Sequence, residues 1–116
     1  MKKHILRMRK TDKLVFDAIK KGKKTVETRA ATERYGKIQM GDALVFVCGR
    51  KKIERKVGGV KHFTSIEGMA KKIDFKKIMP FCESIEEMRK VYFSFPGYKE
   101  KLKKFGILAF DLKLIK

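Results

Sequence analysis

The sequence predicts an α+β domain in which a sheet is flanked by short helices. Three observations carry that prediction. A basic amphipathic stretch ends at Gly22 and gives way to β-branched residues. Residues 43–47 and 105–112 are almost continuously apolar, as buried strands are. Between those two runs, residues 64–72 and 84–92 combine helix spacing with helix-start residues. With 116 residues, 43% of them hydrophobic, the chain has the size of one domain with one modest core, so residues 1–116 are read as a single unit.

In chain order, residues 11–21 place Leu14, Val15, Ala18 and Ile19 on one helical face. Thr11 suits the N-cap, Asp12 the positive end of the helix, and Lys20 and Lys21 the negative end. Gly22 supplies a left-handed stop. Residues 25–31 then read as a strand. Its period of two puts Thr25, Glu27 and Arg29 on one face and Val26, Thr28 and Ala30 on the other, with Lys24 at the strand mouth. Gly41 and Asp42 make a turn into strand 43–47, and Gly49 sets a basic hairpin carrying Arg50, Lys51, Lys52, Arg55 and Lys56. Gly58 and Gly59 interrupt the following run as a bulge or sharp bend would. Ser84 and Glu87 form a capping box for the second of the later helices, and residues 105–112 close the sheet.

Charge bounds the function. Thirty-one Lys and Arg against thirteen acids give a formal net charge of +18, which favours a polyanion because basic surfaces gain affinity by releasing counterions from phosphates. Ion-pair networks of the thermophilic kind need a more even mix of signs. No apolar run approaches the length of a membrane span, and the Lys2-Lys3-His4 start lacks a signal-peptide core, so a cytoplasmic location without membrane partners is expected. Cys48 and Cys82 lack metal spacing, and His4 and His62 lie far apart, so neither a metal nor another cofactor is expected. Cys48, within an apolar strand, is expected as a reduced, buried thiol. Tyr92 and Tyr98 sit among cations between Arg89 and Lys104, a composition that suits base stacking on single-stranded nucleic acid.

The segment Gly22-Lys23-Lys24-Thr25-Val26-Glu27-Thr28-Arg29 fits the pattern Gly-x-Lys-x-x-Glu-x-Arg, which resembles the signature of the ASCH domain family. Residues 38–42 leading into 43–47, residues 86–92, and the closing run 105–112 resemble further family elements in the same order. The resemblance implies a small PUA-like mixed β-barrel of about five to six strands flanked by short helices. It also implies an RNA-binding cleft lined by Gly22, Lys24, Glu27 and Arg29, with Lys23, Arg50, Lys51, Lys52, Tyr92 and Tyr98 as further candidate contacts. The partner expected is RNA, single-stranded or structured, in RNA metabolism or translation. The alternative is a small hydrolase, either one that processes RNA or an amidohydrolase on a modified nucleoside. Some small family members resemble enzymes that remove an acyl group from N4-acylated cytidine, with a lysine at the place of Lys24, a threonine at the place of Glu27 and a later glutamate near Glu83. On that alternative Lys24, Glu27 and Glu83 would be catalytic, but Glu27 replaces the threonine, and Thr28 points to the other face of the strand.

Overall fold

Alternating apolar residues in one strand organise the whole molecule. The structure, a computed structural model, describes residues 1–115. Five strands, β1 (Lys3–Met8), β2 (Val26–Ala30), β3 (Ala43–Cys48), β4 (Lys51–Phe63) and β5 (Ile107–Lys113), form one curled sheet in the order β1-β3-β4-β5-β2. β1 runs parallel to β3, and every other pair is antiparallel. The predicted barrel is therefore open: β1 and β2 are the two edges and do not pair with each other.

Six helices complete the fold: α1 (Lys13–Lys20), α2 (Glu33–Gly36), α3 (Ile66–Lys72), α4 (Phe75–Ile78), α5 (Ile85–Ser94) and α6 (Tyr98–Phe105). Ile107 and Ala109 of β5 face Met69, Ile78, Met88, Tyr92 and Leu102 of the later helices. Leu108, Phe110 and Leu112 face the opposite way, into Leu6, Phe16, Ile19 and Phe46. The single modest core expected from composition is thus two cores, one on each face of β5. Complete burial of a side chain such as Phe110 stabilises by about 1.5–3 kcal/mol.

The turns follow their residues. Gly49, at φ 62°, opens a two-residue connection between β3 and β4. The register of β4 against β5 slips between Val57 and Gly59, so the glycine pair does mark a bulge. A Cβ on Gly58 would lie 2.7 Å from Cγ of the exposed Lys113 side chain, which would have to move aside.

Several local expectations change. A 3-10 turn over Lys10–Asp12 precedes α1, and the Asp12 carboxylate accepts from Arg9 N (3.2 Å) and Arg9 Nε (3.1 Å) instead of capping the helix. Leu14 lies outward, at 73% exposure, while Phe16 packs in the core beside Ile19. Ser84 Oγ accepts from Glu87 N at 3.1 Å, but the Glu87 carboxylate takes the amide of Glu83, so only half of the predicted capping box forms. Phe105 ends α6 and is not part of the closing strand. Cys48 is only half-buried and Cys82 is the buried thiol; both are free.

Candidate functional site

The site is built on an edge strand. β2 pairs with β5 on one side only, so its outward amides and carbonyls need other partners. Side chains provide them. Lys24 Nζ donates to Val26 O at 2.8 Å and to Ile78 O at 2.6 Å. Thr28 N donates to Glu27 Oε1 at 2.9 Å, and Ala30 N donates to the Tyr98 hydroxyl at 3.1 Å. Gly22, at φ 77°, turns the chain from α1 so that Lys24 enters this edge. Lys24, at the strand mouth as expected, is only 4% exposed.

Three motif charges meet there. Glu27 Oε1 lies 3.5 Å from Lys24 Nζ, and Glu27 Oε2 accepts from Arg29 Nη2 at 3.3 Å. Burial pulls the Lys24 pKa below the ordinary lysine value, against the opposing Glu27 charge. Burial works against the Glu27 carboxylate too, but Lys24, Arg29 and the Thr28 amide outweigh it and hold the pKa below the usual glutamate range. Glu27 is therefore an ionised acceptor at neutral pH. Arg29 Nη1 reaches the Tyr35 hydroxyl at 3.4 Å, and the guanidinium lies over the Tyr35 ring, 5.4 Å from its centroid. Those bonds use two of the five N–H donors a guanidinium carries.

A cavity of about 460 Å³ opens against this edge. Lys24, Glu27, Thr28 and Arg29 form one wall. Arg7, Met8 and Arg9, from the end of β1 and just beyond it, form another, so the cavity occupies the opening between the two sheet edges. Apolar surface comes from Val15, Ile78, Met79, Phe81, Val91 and Phe95. Thr28 does lie on the opposite face of β2 from Glu27 and Arg29, as the period of two requires. Because β2 is an edge, the cavity wraps around it and takes in both faces.

The two tyrosines singled out by sequence both line this cavity. Tyr92 is almost fully buried, and its hydroxyl shares a 2.5 Å hydrogen bond with Thr28 Oγ1. Burial pushes its phenol pKa up, so it remains protonated. The rings of Tyr92 and Tyr98 are parallel, with centroids 6.3 Å apart, and Phe95 meets Tyr98 edge-on. Other candidates lie elsewhere. Glu83 is exposed beside Lys76, 3.9 Å away, and is absent from the cavity wall. Lys23 is exposed, and Arg50, Lys51 and Lys52 are exposed at the hairpin; none of the four lines the cavity. Sequence reasoning missed Arg7 and Arg9 at the cavity; their only sequence signal is being two cations among thirty-one. Lys101, one of the cations between Arg89 and Lys104, lines it too. Among the described residues, no group of three or more His, Cys, Asp or Glu side chains could hold a metal ion.

A family model, described as the ASCH domain, matches residues 10–116. The chain belongs to the ASCH domain family. Two solved structures are similar to this ASCH domain over nearly their whole length. The crystal structure of the hypothetical protein PH0355 is 31% identical, with a TM-score of 0.84 over 99% of this chain and 100% of that one. The solution structure of protein PF0455 from Pyrococcus furiosus is 28% identical, with a TM-score of 0.73 over 95% of this chain and 96% of that one. The comparison with curated proteins returns no match. The ASCH domain here has a PUA-like fold, with its sheet open at the cavity. No helix among the described residues is long and apolar enough to cross a membrane.

Proposed function

We propose that this ASCH domain binds RNA and accommodates an unpaired nucleobase in the cavity beside β2. The observation that carries the reading is Arg29. Glu27 and Tyr35 fix its guanidinium, yet its side chain keeps 23% exposure and unspent donors at the polar end of an aromatic-lined cavity. A fixed donor of this kind suits a base carbonyl or a phosphate oxygen, and a charged hydrogen bond is worth about 1.5–3 kcal/mol. Glu27, ionised beside it, accepts from an exocyclic amine or a ribose hydroxyl. Lys24 has a different part from the one its place in the motif implies. Its ammonium protons go to two carbonyls and to Glu27, so it shapes the edge and leaves direct contact to Arg29.

The alternative, deacylation of an N4-acylated cytidine, has weaker support. Glu83 is absent from the cavity wall, and Glu27 both stands where that chemistry needs a threonine and opposes the lowering of the Lys24 pKa that a base would need. The test uses nucleic-acid-free protein, labelled single-stranded RNA and N4-acetylcytidine in parallel. Retention of RNA by the wild type, weakened about 10- to 100-fold in a folded Arg29→Ala variant, is the expected outcome. Unchanged affinity in that variant would remove the cavity as the binding site. Release of acetate from the nucleoside would make this a hydrolase.

A further inference from the structure

The sheet face beside the cavity is half covered. Helices α3–α6 pack on the β2 and β5 part of that face, through Val26, Ala30, Ile107 and Ala109. The same face continues across β1, β3 and the first half of β4 without helices. Register fixes which residues it presents. In one row Arg7 lies beside Val47 and Lys52; in the next Ile5 lies beside Val45 and Glu54. The last row is Lys3, Ala43, Lys56 and Lys113, spanning four strands. Paired residues point the same way, so five cations share the face with Glu54, while Asp111, next along β5, lies at its margin.

Three features make this surface more than a share of the general positive charge. Lys56 and Lys113 are direct cross-strand partners, a like-charge arrangement that costs stability and that a bound anion would relieve. Gly58 lacks the side chain that would collide with Lys113, so the lysine stem lies across the sheet instead of turning away. The one acid within the rows is already matched: Glu54 Oε1 sits 3.0 Å from Lys3 Nζ, at an angle that makes it an ion pair only. No acid in the rows is left for the remaining cations. Continuity with the site is direct, because Arg7 belongs both to the first row and to the cavity wall.

Resting on the RNA-binding reading above, we infer that a single RNA strand with one base in the cavity passes Arg7 and runs over the open face of β1, β3 and β4. Lys52, Lys56 and Lys113 contact its phosphates, and the Ile5 and Val45 side chains between the cationic rows meet its sugars and bases. The first and last rows lie four residues apart, about 13 Å at the ordinary rise of a strand, so the track spans several nucleotides.

The decisive experiment compares short and long single-stranded RNAs over a range of salt. Wild type is measured beside Lys52→Ala/Lys56→Ala/Lys113→Ala and a control of equal charge loss on the helices, Lys71→Ala/Lys72→Ala/Lys90→Ala. All six lysines are exposed, so the folded state is preserved. The sheet variant is expected to retain binding of a mononucleotide while losing the gain that wild type shows with length. Its salt slope should fall by about 2, three contacts at about 0.7 each, making the affinity gained between roughly 200 and 50 mM salt about 20-fold smaller. The control should lose distinctly less. Equal losses in the two triple variants, or a wild type that binds short and long RNAs alike, would overturn the track and leave the cavity reading standing. Failure of wild type to bind any RNA would overturn both.

Discussion

The cations around β2 and those on the open sheet face are the same residue types used in opposite ways. Near β2, Lys24 and Arg29 are held by carbonyls, a carboxylate and a tyrosine, and their positions are fixed. On the sheet face, Lys52, Lys56 and Lys113 are exposed, on flexible stems. Fixed charges at a cavity select a ligand by geometry, because their ordering has been completed during folding. Mobile charges on a surface add affinity that salt screens and that depends little on sequence. A net charge of +18 does not distinguish the two uses; the surroundings of each charge do.

Breaking the buried cluster should have the largest effect. Lys24→Ala would leave the carbonyls of Val26 and Ile78 without their donor and Glu27 with one cation fewer, in a place water does not replace them. A loss of about 3–5 kcal/mol is expected, read as a shift in the urea unfolding midpoint. A loss below about 1 kcal/mol would mean that Lys24 is not a fixture of the edge. For the same reason Lys24→Ala is a poor probe of catalysis, since lost activity would follow from lost structure.

A smaller change tests the tyrosine wall. Tyr92→Phe removes the hydroxyl and leaves Thr28 Oγ1 buried without its partner, which should cost about 1–3 kcal/mol of stability. The double variant Tyr92→Phe/Thr28→Val removes both ends and should recover most of that loss. No recovery would show that the hydroxyl pair contributes by something other than mutual satisfaction.

The mildest prediction concerns a hydrogen-bonded carboxylate intermediate between the two classes. Asp42 bonds His4 Nε2 at 2.8 Å and accepts from the amides of Gln39 and Lys2. The His4 bond, then those amides, hold the Asp42 pKa down to about 2, against about 3.9 in the unfolded chain. Its contribution to stability is therefore complete above the unfolded value and is lost as pH falls through about 2. Unfolding curves between those values should be less steep in pH for Asp42→Asn than for wild type. Identical slopes would remove Asp42 from the acid response.

Much of this arrangement was legible in order but not in depth. Residues that act on their own stretch of backbone were read correctly: Gly22 stops α1, Gly49 turns the hairpin and Gly58 bulges β4 through their freedom of conformation, and Ser84 caps α5 through its hydroxyl. α6 escaped notice because Tyr-Lys-Glu-Lys-Leu-Lys-Lys-Phe offers a single core residue, Leu102, and reads as a charged connection. Leu14 lies outside the core and Phe16 inside it because α1 docks with Val15, Phe16 and Ile19 toward the sheet, and the apolar pattern of 14–19 leaves either side open.

Local sequence pattern was enough for the coarse order of strands and longer helices, for the family, and for the alternation that places Glu27 and Arg29 on one face of β2 and Thr28 on the other. Those properties depend on neighbours along the chain and on a period of two. Tertiary structure alone decided that Lys24 is buried, that Glu83 stays outside, and that Arg7 joins the wall of a site centred twenty residues later. The sheet order sets β1 and β2 at opposite edges and then curls them toward a shared opening. Which side chains meet across that gap depends on pairings between distant strands, and no local pattern encodes them.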